Sequence, residues 1–278
     1  MSARHFSVAA TIVFLLGGTA SQALAQPREA EDFINYAYAT WFGTGVYSVG
    51  DRDITILRAP ISIPIRKPVP EEKKWGWRLM LPVTLGRHEF DFDFGDIEDL
   101  ETITFVPGVE FQVPIRENWQ LKPFVQAGVG NDFSGGEFSV IYGTGLKSLV
   151  TFPWKKFIFG VGNQLLFAGQ TIPDGNNSKG FAMFEAGLDV LLPGSFKLGR
   201  RRVNTSVFGI LSWFTNEVDF LEPGPIEIEV SRITQVGVSF GTEREFSFWK
   251  VKIPRLGVTY MDGDKGFKGI RVNVGFPF

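Results

Sequence analysis

Along most of this chain apolar and polar residues alternate with a period of two, the spacing of a β-strand with one apolar face. Trp75, Trp77, Leu79, Leu81, Val83 and Leu85 alternate with Gly76, Arg78, Met80, Pro82, Thr84 and Gly86. Ile103, Phe105, Pro107, Val109, Phe111, Val113 and Ile115 alternate with Thr104, Val106, Gly108, Glu110, Gln112 and Pro114. Ala182, Phe184, Ala186, Leu188, Val190 and Leu192 alternate with Met183, Glu185, Gly187, Asp189 and Leu191. A helix would space its apolar residues three and four apart, and no convincing amphipathic helix stands out. The pattern predicts twelve strands, near 33–47, 53–66, 75–86, 101–115, 119–130, 137–152, 156–168, 180–192, 203–215, 226–241, 246–261 and 267–278.

An even number of strands suits an all-β, antiparallel barrel of meander topology whose two ends lie on the same side. The connections sort into two alternating classes. One is basic and mostly short (66–74, 116–118, 153–156, 193–202, 242–245), and the other is acidic and mostly longer (88–99, 173–178, 216–225, 261–266). Transmembrane barrels pair short periplasmic turns with longer external loops in the same way.

Alternation leaves open which face meets lipid, since a soluble barrel or sandwich has the same period. Three features favour a lipid-facing apolar side. The tryptophans fall near expected strand ends (Trp41, Trp75, Trp77, Trp119, Trp154, Trp213, Trp249), where an interfacial girdle sits. There are 28 Phe, easier to place on an outer band than in one modest core. The opposite face mixes glycine and small polar residues with charges of both signs. Arg58, Arg78, Glu110, Lys122, Lys147, Glu185, Asp189 and Arg271 are therefore expected in the lumen, together with Gln126. They read either as a structural network of paired charges or as a constriction that selects solutes. Their roughly balanced signs argue against strong ion selectivity.

The beginning of the sequence reads as an export signal. Arg4 and His5 precede an apolar run over 8–16, and Ala23-Leu24-Ala25 has the small-x-small pattern of a cleavage site. The run is shorter than the roughly 20 residues of a spanning helix. The expected division is a signal peptide over 1–25 and an outer-membrane β-barrel domain over 26–278, which is 278 − 25 = 253 residues. The absence of cysteine excludes disulfides and thiol chemistry, and a net charge of −2 offers no reason to expect nucleic acid as a partner.

From Lys268 the sequence runs Lys-Gly-Ile-Arg-Val-Asn-Val-Gly-Phe-Pro-Phe, with Ile270, Val272, Val274, Phe276 and Phe278 on one face. This run resembles the terminal strand of Gram-negative outer-membrane barrels, whose aromatic last residue is part of the signal read by the assembly machinery. The resemblance implies that Phe276 and Phe278 form that signal. Size, strand count and terminal strand together resemble a twelve-stranded autotransporter barrel. Here it would be a solitary one, since only residues 26–32 separate the expected cleavage site from the first expected strand. Without a passenger, the family's secretion role is not expected to carry over.

Signatures of chemistry are sparse. With His5 expected to leave with the signal, His88 is the only histidine of the mature chain, and no serine stands within ten residues of it. A lone histidine without an orienting partner is a weak catalytic candidate. The acidic run Glu89, Asp91, Asp93, Asp96, Glu98 and Asp99 reads as a solvated loop, with weak divalent-cation binding as the alternative. Gly128-Val129-Gly130 and Gly143-Thr144-Gly145 are not nucleotide loops, because no helix follows; they read as lumen-facing glycines that let a strand bend. No catalytic residue, metal or cofactor is expected, and lipid and lipopolysaccharide are the expected partners. The functional expectation is a non-enzymatic small pore or passive channel. The alternatives are a closed barrel that binds a surface partner or stabilises the membrane and, behind it, a lipid-modifying enzyme.

Overall fold

A computed structural model describes residues 40–49, 52–87, 102–133, 138–173, 178–199, 201–219, 229–248 and 251–278. The expected signal peptide 1–25, His88 and the acidic run from Glu89 to Asp99 lie outside the described residues.

The described chain is a single closed sheet. Its segments are β1 (Thr44–Val49), β2 (Arg52–Arg66), β3 (Gly76–Arg87), β4 (Thr102–Phe105), β5 (Gly108–Arg116), β6 (Trp119–Asp132) and β7 (Phe138–Trp154). They continue with β8 (Phe157–Thr171), β9 (Ser178–Leu198), β10 (Arg201–Asp219), β11 (Glu229–Phe248), β12 (Val251–Gly263) and β13 (Lys268–Val274). Successive strands pair antiparallel in a meander, and β1 pairs with β13 (Thr44 opposite Val272, Ser48 opposite Lys268), which closes the barrel. β4 and β5 share one position between β3 and β6, so thirteen segments make 13 − 1 = 12 barrel strands.

The break between β4 and β5 has a local cause. Pro107 has no N–H to give the ladder. Beside it Val106 is fully buried, its N–H reaching Pro82 O at 3.4 Å, while Pro107 O accepts from the Ala127 N–H at 3.0 Å. The neighbouring strand accommodates the break with Gly128, where a Cβ would overlap Phe105 O.

The second to seventh expected strands agree with β2 to β8 within three residues at either end. Four expectations need correction. The stretch 193–202 is not an open connection, because β9 runs on to Leu198 and β10 begins at Arg201. Nor is 242–245, which lies within β11. In both places a register shift (between Asn204 and Ser206, and between Gly241 and Phe246) disturbs the pairing while strand continues on either side. The first expected strand is not continuous, since residues 40–42 form a helical turn before β1 begins at Thr44, and its residues 33–39 lie outside the described residues. The last ends at Val274 rather than 278. Both flanks of the β1–β13 seam leave the sheet at left-handed glycines, Gly43 at φ +90° and Gly275 at φ +78°.

The alternation sends apolar side chains outward. On the two strands beside the seam, Leu256, Val258, Tyr260 and Ile270 are each 50 to 57% exposed, while Met261 between them is 1% exposed and faces the bore. The same outward apolar row recurs around the ring (Val125, Leu165, Leu188, Val236), a continuous patch that a water-soluble surface does not carry. Aromatics gather at the turn end: Trp75 packs on Phe111 and Trp154 on Phe159, each at 5.7 Å between ring centroids. Arg66 lies over Trp75 at 4.7 Å and Lys155 over Trp154 at 5.0 Å, cations set at the interface level. Trp41 is not part of that girdle, since its ring faces the bore and packs on Phe124 at 5.9 Å. Trp249 lies outside the described residues. A closed sheet with every strand paired and an apolar exterior is an integral outer-membrane β-barrel.

Candidate functional site

The bore is the place where this fold concentrates polar chemistry, and its side chains form three layers. Towards the loop end it is filled by an apolar cluster. Tyr47, Ile141, Leu166, Ile233, Met261 and Phe267 are each no more than 2% exposed, and Phe42 meets Tyr47 at 5.2 Å and Phe267 at 5.6 Å. Tyr47 OH donates to Phe42 O at 3.0 Å and to Gly43 O at 3.1 Å, fixing the turn that carries Phe42 inward.

The middle layer is ionic, and all eight charges expected in the lumen line one cavity of about 720 Å³ there. Arg78 Nη2 lies 2.8 Å from Glu110 Oε1, whose side chain is wholly buried. Glu185 accepts from Ser212 Oγ at 2.7 Å, and Gln235 Nε2 donates to the same hydroxyl at 3.1 Å. Arg271 Nη2 donates to Gln235 Oε1 at 2.8 Å, and Arg271 Nη1 to Phe42 O at 3.3 Å. The Arg58 backbone is anchored on Thr44, whose Oγ1 donates to Arg58 O at 2.8 Å and accepts from its N–H at 2.9 Å. Asp189 Oδ2 is 3.0 Å from Arg255 Nη1, which also donates to Ser206 Oγ at 3.1 Å.

Arg255 was absent from the charges expected in the lumen, although it shares an inward face with Gly257, Thr259 and Met261 and the same period-two rule would have found it. The neutral partners Ser212 and Gln235 carry no charge and gave no comparable signal.

The third layer, towards the turn end, contains the segment 276–278. Phe276 and Phe278 do not share the lipid face with Ile270, Val272 and Val274. Phe278 is 4% exposed inside the barrel, clustered with Phe208 and Ile210 and flanked by Phe276 and Leu149. The physical reason lies in the two residues that flank Phe276. Gly275 takes up the left-handed turn, and Pro277 has no N–H to extend the ladder. Lys122 Nζ then donates to Phe278 O and Lys147 Nζ to Pro277 O, each at 3.0 Å.

Several lumenal glycines serve these inward rings. A Cβ at Gly143 would overlap the Trp41 ring, and one at Gly145 would come within 2.7 Å of the Phe124 ring. A Cβ at Gly162 would lie 2.7 Å from Phe278 Cβ, and one at Gly187 2.7 Å from Phe278 Cε2. Gly143 and Gly145 thus make room for aromatic side chains rather than simply letting a strand bend.

Among the described residues no group of three or more His, Cys, Asp or Glu side chains could hold a metal ion. No family model matches the chain, and no curated protein does either. Among solved structures, the chain is similar to the β domain of the Bordetella autotransporter BrkA, with 10% identity over 82% of this chain and 95% of that one, at a TM-score of 0.48.

Proposed function

We propose that this outer-membrane barrel is closed at rest and acts as a membrane-embedded stabilising or surface-binding protein rather than as a standing pore. The observation that carries the reading is the apolar layer across the loop end of the bore. Its near-complete loss of solvent contact makes it a packed core, and opening a passage there would strip those side chains of their neighbours. The ion pairs below it fit the structural reading of the lumenal charges, since charges withdrawn from water are stabilised by partners.

A second reading, the small passive pore, draws support from the charged cavity of about 720 Å³ in the same bore. Planar-bilayer recording of the refolded protein separates the two. Electrically silent insertion is the outcome expected of a closed barrel, and reproducible discrete openings would replace it with the pore.

Lipid contact follows from the outward apolar band, and lipopolysaccharide is the lipid proposed for its outer half. The assembly signal proposed for Phe276 and Phe278 would be read before the segment folds inward. The signal peptide over 1–25 stands as a proposal on the same footing, to be tested by N-terminal sequencing of the mature protein, which should begin at Gln26.

A further inference from the structure

We propose that the turn end of the lumen is a binding site for a small organic carboxylate with an aromatic or apolar body, and that residues 276–278 occupy this site in the resting protein. The site joins two kinds of recognition. Lys122 and Lys147, neighbours in register on β6 and β7, each present an ammonium to a main-chain oxygen of the segment at 3.0 Å. A few ångströms away, Gly162 and Gly187 leave bare backbone on which the Phe278 ring lies, and Phe208 and Ile210 complete an apolar wall.

With Arg255 added to the expected set, the side-chain charges around the cavity are not the roughly balanced group that the sequence suggests but carry an excess that favours an anion. Six cationic side chains line it (Arg58, Arg78, Lys122, Lys147, Arg255, Arg271) against three side-chain carboxylates (Glu110, Glu185, Asp189), an excess of 6 − 3 = 3 among the described side chains. Two of the three carboxylates are already committed to Arg78 and Arg255. Among the described residues no side-chain carboxylate pairs with Lys122 or Lys147, which hold main-chain oxygens of Phe278 and Pro277 instead. A carboxylate in place of the Pro277 carbonyl would give Lys147 a charge-assisted bond, roughly twice as strong as the neutral one it holds. The apolar layer at the loop end makes the site a blind pocket entered from the turn end, so the inference adds a ligand to the closed barrel and uses that reading only for the pocket's closed end.

The test uses 3-phenylpropionate as the probe and 3-phenylpropanol as its uncharged counterpart, with calorimetry on the refolded full chain. Phe276→Ala with Phe278→Ala should vacate the ring pocket, loosen the segment's main-chain hold on the lysines and tighten phenylpropionate binding about tenfold over the unsubstituted protein, the scale of one weakened competitor. Adding Lys122→Gln and Lys147→Gln should abolish that binding, and phenylpropanol should not bind. Equal binding with and without the lysines, or none after the rings are removed, would overturn the site.

Should the alanine pair fail to fold, Phe278→Cys supplies a single thiol in a chain without cysteine. Its labelling by a water-soluble maleimide should be slow, and phenylpropionate should accelerate it saturably. Rapid labelling without ligand, or no response to it, would also overturn the proposal. Neither result bears on bilayer conductance, so a conducting barrel would remove the closed reading and leave the ligand measurement to stand on its own.

Discussion

Arg78 and Glu110 face each other directly across the β3–β5 ladder, and their side chains meet inside the bore at 2.8 Å. The two are not equally sheltered: the Glu110 side chain is wholly buried, whereas that of Arg78 retains 32% of its exposure. Removing the arginine strands a carboxylate with no water, whereas removing the carboxylate leaves a cation that still reaches solvent. Arg78→Ala should therefore cost about 3 kcal/mol and Glu110→Ala only about 1 kcal/mol. Urea unfolding in lipid vesicles measures both, and equal costs would contradict the asymmetry.

The pair between Asp189 and Arg255 ties β9 to β12, strands separated in the ring by β10 and β11. Such a tie cannot come from ladder hydrogen bonds and must act through side chains alone. Asp189→Ala and Arg255→Ala should each destabilise by about 2 kcal/mol, with a coupling near 1 kcal/mol in the double-mutant cycle. Additive losses would show that the two side chains act independently.

Gly143 is the seat of the Trp41 ring, with ring carbons that a Cβ would approach to 3.1 and 3.4 Å beyond the one it overlaps. Gly143→Val should destabilise by about 2 kcal/mol through overpacking. Trp41→Ala should recover part of that loss by vacating the space. A Gly143→Val protein as stable as the parent, or no rescue, would show that residues 40–42 do not hold this position in the barrel.

Beyond the membrane-spanning strands, Asp264 caps the start of the described part of β11. Burial raises its carboxyl, but hydrogen bonds from the Ser231 hydroxyl and the Arg232 and Ser231 N–H groups outweigh that effect and hold it below the usual carboxylate range. A lowered folded-state value means that the stabilisation is present above the unfolded carboxyl's roughly 3.9 and is lost as pH falls through the folded one. The amide resonances of Ser231 and Arg232 should accordingly titrate together only below about pH 4. In Asp264→Asn that titration should vanish, and its persistence would assign it to another group.

Period-two alternation was enough to read twelve strands, the antiparallel meander and the lumenal face of Arg78, Glu110, Glu185 and Arg271, because it is a local property that each strand satisfies by itself. The same rule applied fully to Arg255. It failed at the two flanks of the seam. Phe276 and Phe278 keep perfect step with Ile270, Val272 and Val274, yet they leave the sheet and turn inward. Trp41, which alternation placed within the first strand, does the same.

Those turns are permitted locally by Gly43, Gly275 and Pro277, but permission does not fix a direction. The direction depends on groups far along the chain. Gly143 receives Trp41, Gly162 and Gly187 receive the Phe278 ring, and Lys122, 156 residues from Phe278, binds its main-chain oxygen. Strand identity and facing were therefore legible in the sequence by itself. The filling of the bore was decided only in the tertiary structure, because a socket assembled from β6, β7, β8 and β9 exists only once the barrel has closed.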